Sequence, residues 1–229
     1  MAGKGYNKNM FENVRRDDWE SLKPTVYGWG INDVKYNTHE SSPIEGKWKI
    51  LKRCPYYMDW VTMIYRCYDA KHKEKNPAYM GCTICDEWKY LSNFIKWVDI
   101  QPNRDWQNCV PDKDFLIEGN KHYSPETVVY IPSSLNSFIT AKNKARGKYM
   151  LGVRRNSHSK KNPFMSECSN PFTKKCDYLG SFSDELTAHK AWQAKKHEFS
   201  CIYADLQDDS RLAKILRERY APDKDWTKV

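Results

Sequence analysis

Apolar positions recur at helical spacing in several stretches of the chain and gather into short β-prone runs between them. In residues 55–68, Tyr57, Trp60, Val61, Ile64, Tyr65 and Tyr68 recur at i, i+3, i+4 and i+7 behind Pro55, a residue suited to a first helical turn. Residues 86–98 repeat the pattern through Trp88, Leu91, Phe94, Ile95 and Val98. Both aromatic stripes read as core. Residues 71–77 between them read as a charged loop, residues 26–31 as a Gly-punctuated strand or turn, and residues 37–46 as loop.

Three residue periods meet in residues 111–136. Residues 112–117 predict a short strand, and Glu118, Gly119, Asn120 and Lys121 a chain reversal, because Gly and Asn tolerate positive φ. Residues 128–131 predict a second strand, by their β-branched and aromatic content, closed by Pro132. Ser133 then stands at a helix N-cap ahead of Leu135, Phe138 and Ile139. Such a frame aims polar side chains at one point.

Residues 140–148 lack apolar periodicity and predict a linker. Beyond it, residues 149–155, 163–168 and 176–182 read as three short strands separated by polar turns. Ser183 predicts the cap of a helix with Ala188, Trp192, Phe199 and Tyr203 on its apolar face. A last helix carries Leu212, Ile215, Leu216 and Tyr220, and Pro222 ends it. The expectation is an α+β chain with a flexible arm over 1–25, one domain over 26–141, a second over 142–206, and a C-terminal helix and tail over 207–229.

Charge adds a partner to this outline. Of the net +9, most lies in residues 141–229, which carry 19 Lys and Arg against 11 Asp and Glu. Residues 142–175 hold ten basic residues and one acid, Glu167. So local a block favours a polyanion, whose phosphates release counterions when neutralised. No apolar run approaches the roughly 18 residues of a membrane helix, and the first residues lack a signal-peptide core. A cytoplasmic protein follows as the expectation, and its eight cysteines read as reduced thiols or metal ligands.

Two groups of residues suggest metal chemistry. Cys82 and Cys85 form half of a zinc site, but Cys54, Cys67 and Cys109 supply no second close pair, so buried thiols are the preferred reading. Asp112, Asp114 and Glu118 suit a hard cation such as Mg²⁺, against the alternative of pairing with Lys113, Lys121 or the linker lysines. A restriction-nuclease reading of Pro111 and Asp112 fails, because an acid-x-Lys pair is not found at the right spacing. His122 follows the loop, and Asn136 opens the helix.

The run PDKDFLIEGNKHYSPETVVYIPSSLN resembles the ββα-metal core of phage and mobile-element HNH endonucleases. CPYYMDWVTMIYRCYD and NPAYMGCTICDEWKYLSNFIKW resemble the segment that precedes it, so the likeness covers roughly residues 26–140. YMLGVRR and YLGSFSDELTAHKAW resemble the Apetala-type DNA-binding domain, three strands and a helix, often attached to such nucleases.

The resemblance implies hydrolysis of DNA phosphodiesters with one Mg²⁺ or Mn²⁺ held by Asp112 and Asn136, with Asp114 beside them. Lys113 stands where the family has its base His, and Thr127 where an Asn is common. A lysine at its usual pKa of ~10.4 holds its proton at pH 7, which leaves His122 and Asn120 as the other candidate catalytic groups and a degenerate DNA-binding protein as the alternative. In the Apetala-type domain the sheet enters the major groove of double-stranded DNA. That assigns DNA contacts to Arg146, Lys148, Arg154, Arg155, Lys160, Lys161, Lys174 and Lys175, with Arg154 and Arg155 reading bases; strand alternation turns one of that pair inward.

Overall fold

The computed structural model describes residues 24–102, 105, 108–139 and 148–227. Residues 1–23 of the arm expected over 1–25, and residues 140–147 of the linker, Arg146 among them, lie outside the described residues. By its internal contacts the chain divides into two units, Met1–Pro132 and Ser133–Val229, each with its own packing. The division falls ahead of the linker at 140–148. It places the helix that follows Pro132 with the C-terminal unit, because Phe138 packs on Tyr203 and Tyr220 at centroid distances of 5.1 and 5.9 Å.

In the N-terminal unit, strands β1 (His39–Ile44) and β2 (Lys47–Arg53) form an antiparallel hairpin where loop was expected. Glu45 and Gly46, both at positive φ, make the two-residue turn that matches the twist of paired strands. The ribbon buries none of its residues, all but Ser42 being exposed, and Trp48 retains 75% of its surface. Helix α1 (Pro55–Tyr68) starts at its proline as expected. Its buried face is Tyr56, Trp60, Met63, Ile64 and Cys67, so Tyr57, Val61 and Tyr65 lie toward its flanks. Residues 71–77 are not simply loop. Asp69 accepts a hydrogen bond from the His72 amide at 2.7 Å and caps a short helix, α2 (Ala70–Lys75).

Strand β3 (Thr83–Ile84) and a turn of 3-10 helix over Asp86–Lys89 lead into α3 (Leu91–Asp99), which buries Leu91, Phe94, Ile95, Trp97 and Val98. The core forms where α1 meets this segment. Trp60 is fully buried and donates its indole N–H to the Trp88 carbonyl at 2.6 Å, which satisfies the one polar group of a large apolar ring. Trp88 in turn packs on Phe94 and Trp97.

Strand β4 (Cys109–Asp112) pairs antiparallel with β6 (Val129–Pro132), and β5 (His122–Tyr123) pairs parallel with β3. The strand expected over 112–117 therefore runs earlier, and ends where it was expected to begin. The Asp112 carboxylate is the reason: its Oδ1 accepts the amides of Asp114 and Phe115, both at 2.8 Å, and turns the chain.

The C-terminal unit holds α4 (Ser133–Ile139), then β7 (Val153–Arg155), β8 (Phe164–Ser169) and β9 (Cys176–Phe182) in one antiparallel sheet of order β7-β8-β9. Helix α5 (Glu185–Asp205) packs across the sheet on Ala188, Trp192, Phe199 and Tyr203. Its N-cap is Asp184, one residue after the expected Ser183, with the carboxylate accepting from the Thr187 amide at 2.8 Å. Gly152, at φ +75°, lets the backbone pass the Trp192 ring so closely that a Cβ would lie 2.0 Å from its Cγ. Helix α6 (Ser210–Arg219) is tied back to α5 by Ser200 Oγ donating to the Leu216 carbonyl at 2.7 Å. Among the described residues no helix is long and apolar enough to cross a membrane.

One buried carboxylate in the N-terminal unit gives a pH test of this packing. On α1, Asp59 accepts from the Tyr130 hydroxyl at 2.9 Å. Burial pushes its pKa up from the ordinary 3.8 to about 6, against the smaller opposing pull of Tyr130 and Arg66. The folded state thus holds this proton more tightly than the unfolded chain. The resulting stabilisation is complete below the unfolded value and is lost as pH rises through about 6. Asp59→Asn, which keeps an acceptor for Tyr130, is expected to flatten the decline in melting temperature between pH ~4 and ~6. Thermal denaturation across that range checks it, and an unchanged slope would assign the decline to other groups.

Candidate functional site

Of the polar residues singled out in 111–136, Asp112, Lys113, Asp114, Asn120 and His122 come together, chiefly with one another, whereas Glu118 and Asn136 are not brought into this set. Lys113 is the centre. Its side chain is buried at 7% exposure, and its ammonium donates to Asp114 Oδ1 at 2.5 Å and to the Asn120 carbonyl at 2.6 Å. The Tyr123 ring lies 5.9 Å away, giving the cation a π face as well.

Asn120 returns the bond, its side-chain amide donating to the Lys113 carbonyl at 2.9 Å and to the His122 carbonyl at 2.6 Å. Its Oδ1 accepts the His122 amide at 3.1 Å. Thr127 donates its hydroxyl to the His122 carbonyl at 2.6 Å. The residues assigned to catalysis thus form a closed set of bonds that shapes the loop between β4 and β6.

Asp112 is pushed up in pKa, foremost by burial and also by the neighbouring Asp114 charge, while the Asp114 and Phe115 amides and Lys113 pull it back. With Oδ1 engaged by two amides and Asp114 paired to Lys113, the carboxylate donors here are two, one of them already neutralised by an ammonium. Among the described residues no group of three or more His, Cys, Asp or Glu stands together as ion ligands. This donor set falls short of a site in which protein ligands alone close around a divalent ion. Asn136 lies on α4 in the C-terminal unit, whereas Asp112 closes β4 in the N-terminal unit.

His122 is exposed, and its Nδ1 lies 2.8 Å from the Thr83 hydroxyl across the β3–β5 pair. Its ring is therefore oriented by Thr83. Cys82 is buried with its thiol toward the Ala78 carbonyl at 3.9 Å, and Cys85 is half-buried with its pKa pushed up by burial to about 11.

In the C-terminal unit, Lys148, Arg154, Arg155, Lys160, Lys161, Lys174 and Lys175 are all exposed. Alternation along β7 separates the two arginines as expected. Val153 faces α5, and Arg154 points outward, in register with Met165 on β8 and paired with Glu167. Arg155 lies on Val153's side of the strand but at its end, where it stays exposed with its guanidinium 5.8 Å from the Phe164 ring. The outward face also shows Tyr178, whose hydroxyl lies 2.9 Å from Ser181 Oγ.

Sequence reasoning missed a further cationic residue, Lys196 on α5. Its ammonium donates to the Phe138 carbonyl at 2.7 Å and lies 3.6 Å from that ring's centroid. Burial lowers its pKa to about 8. The signal was present: a lysine four residues after Trp192 and three before Phe199 sits inside an apolar stripe.

Comparison with protein-family models, with curated proteins and with solved structures found no match.

The Lys113 network makes a direct prediction. Lys113→Met removes the donor to the Asn120 carbonyl and should destabilise the N-terminal unit by about 1–3 kcal/mol, read as a shift in the urea midpoint. A midpoint unchanged by the substitution would show that the loop does not depend on this ammonium.

Proposed function

We propose that the protein binds double-stranded DNA through the outward face and turns of β7, β8 and β9, and that residues 26–141 are a catalytically degenerate HNH-type domain. The observation that carries the DNA-binding half is the exposed basic set of the C-terminal unit. Of its described members, only Arg154 has a carboxylate partner. Lysines left unpaired in this way suit phosphate contacts, whereas an outward arginine suits a base edge. The degenerate half rests on Lys113, whose ammonium is engaged on two sides where a general base would have to be free to accept a proton. The expected setting is the cytoplasm of a bacterial host carrying a phage or mobile element.

Fluorescence anisotropy with a labelled duplex tests the binding. Affinity should fall steeply with salt, and Lys160→Ala or Lys161→Ala should each lower the slope of log K against log[salt] by about 1. Arg154→Ala should weaken binding to the preferred sequence more than to random DNA. A slope unchanged in all three variants would exclude this surface.

A second reading, an active endonuclease, is favoured by the adjacent Asp112 and Asp114 carboxylates, the groups that would hold Mg²⁺ or Mn²⁺. Supercoiled plasmid separates the two readings. The degenerate reading expects no nicking with either ion between pH 6 and 9. Nicking that disappears in Asp112→Ala would establish the endonuclease instead.

A further inference from the structure

We propose that the cleft between α4, α5 and the β8–β9 turn is a binding site for a nucleoside monophosphate unit, its phosphate held by Lys174, Lys175 and Lys196 and its base packed on the aromatic wall. The cleft has a volume of about 700 Å³ and lies wholly within the C-terminal unit. That size is ample for a nucleotide, since small-ligand pockets run from roughly 300 to 1,000 Å³. Its lining divides into two chemistries. The three lysines and the hydroxyls of Ser133 and Ser134 supply the polar part, and Trp192, Tyr220 and Trp226 the aromatic part, with Lys196 5.5 Å from the Tyr220 ring centroid where the two meet. Among the described residues no aspartate or glutamate lines it.

Lys196 gives the site its demand for an anion. A lysine ammonium has three N–H donors. The Phe138 carbonyl takes one, and the Phe138 and Tyr220 rings, with centroids 3.6 and 5.5 Å away, supply only π faces. Among the described residues Lys196 has no ion pair, although burial has removed much of its water. A phosphate entering the cleft would bring the missing negative charge and acceptor oxygens. Lys174 is held by the turn in a left-handed conformation, φ +61°, and with Lys175 borders the same cleft.

The aromatic wall argues for more than an inorganic anion. Trp226 stacks on Tyr220 at 4.6 Å between centroids, and its indole N–H is already bound to the Arg219 carbonyl at 2.8 Å, so the ring offers the cleft an apolar surface. A planar base covers such a wall, and every base has a π face that stacks on aromatic rings. The site does not rest on duplex binding. Lys174 and Lys175 border both surfaces, but Lys196 belongs to the cleft alone and Arg154 to the sheet face alone.

Isothermal titration calorimetry of the full chain at low salt tests this with adenosine 5′-monophosphate, a 5′-phosphorylated single-stranded tetranucleotide, adenosine and inorganic phosphate. Saturable binding of the monophosphate or of the phosphorylated strand is expected, with adenosine and phosphate each at least about tenfold weaker. Binding by the monophosphate marks a free nucleotide as the ligand, and binding by the strand alone marks a strand end; either supports the site. Lys196→Gln should weaken binding by about tenfold or more, Lys196→Arg should largely keep it, and Arg154→Gln should leave it within about twofold. Should Lys196→Gln lower the melting temperature markedly, Lys174→Gln with Lys175→Gln on the exposed turn is expected to give the same loss. No binding at millimolar nucleotide, phosphate binding as tightly as the nucleotide, or unchanged affinity in the folded lysine variants would each overturn the proposal.

Discussion

An ammonium taken out of water must be given partners, and two lysines of this chain meet that requirement differently. Lys113 has a carboxylate, a carbonyl and a ring face. Once those are in place, the residues around it have little freedom: Asn120 is fixed by the bonds it returns, and His122 by Asn120, Thr127 and Thr83. The loop between β4 and β6 thus owes its shape to one buried cation. Among the described residues Lys196 has a single carbonyl and two ring faces, and it borders a cleft rather than a sealed core. The first lysine is spent on structure, and the second is left short of an anion.

This difference also separates motif from chemistry. Asp112, Lys113, Asn120 and His122 are polar groups that hydrogen bonding makes neighbours in space. Proximity alone does not make a site, because catalysis needs groups whose bonding capacity is still open when substrate arrives. Here amides, carbonyls and an ion pair already occupy much of that capacity. The C-terminal basic residues have the opposite character, exposed and for the most part without carboxylate partners.

Much of the helical framework was legible in the sequence, since helical periodicity reports burial directly. Helices α1 and α5 lie where apolar spacing puts them, although α1 is rotated so that Met63 and Cys67 rather than Val61 and Tyr65 face inward; the helix expected over 86–98 begins only at Leu91, with Trp88 in the 3-10 turn ahead of it. The β1–β2 hairpin was not legible: both its faces are exposed, so its residues carry no alternation. The start of β4 was misjudged because apolar residues 115–117 resemble a strand, whereas a side-chain-to-backbone bond at Asp112 ends one. Helix α4 was readable as a helix, but its packing with α5 depends on Phe138 meeting Tyr203, a contact between residues distant in sequence. The cleft was hidden for the same reason, and the lysine within the α5 stripe was its one local trace.

The hairpin is also anchored in an unusual way. The chain enters it beside Thr38 and leaves it at Cys54, and these two buried residues are joined by a backbone hydrogen bond of 2.8 Å. The segment between them hangs from a closed base, contributes no buried side chain, and hands the chain directly to the proline that starts α1. Such a segment behaves as a cassette. A change of length or sequence within His39–Arg53 leaves the buried side chains of the core where they are, because the closed base at Thr38 and Cys54 holds the ends together.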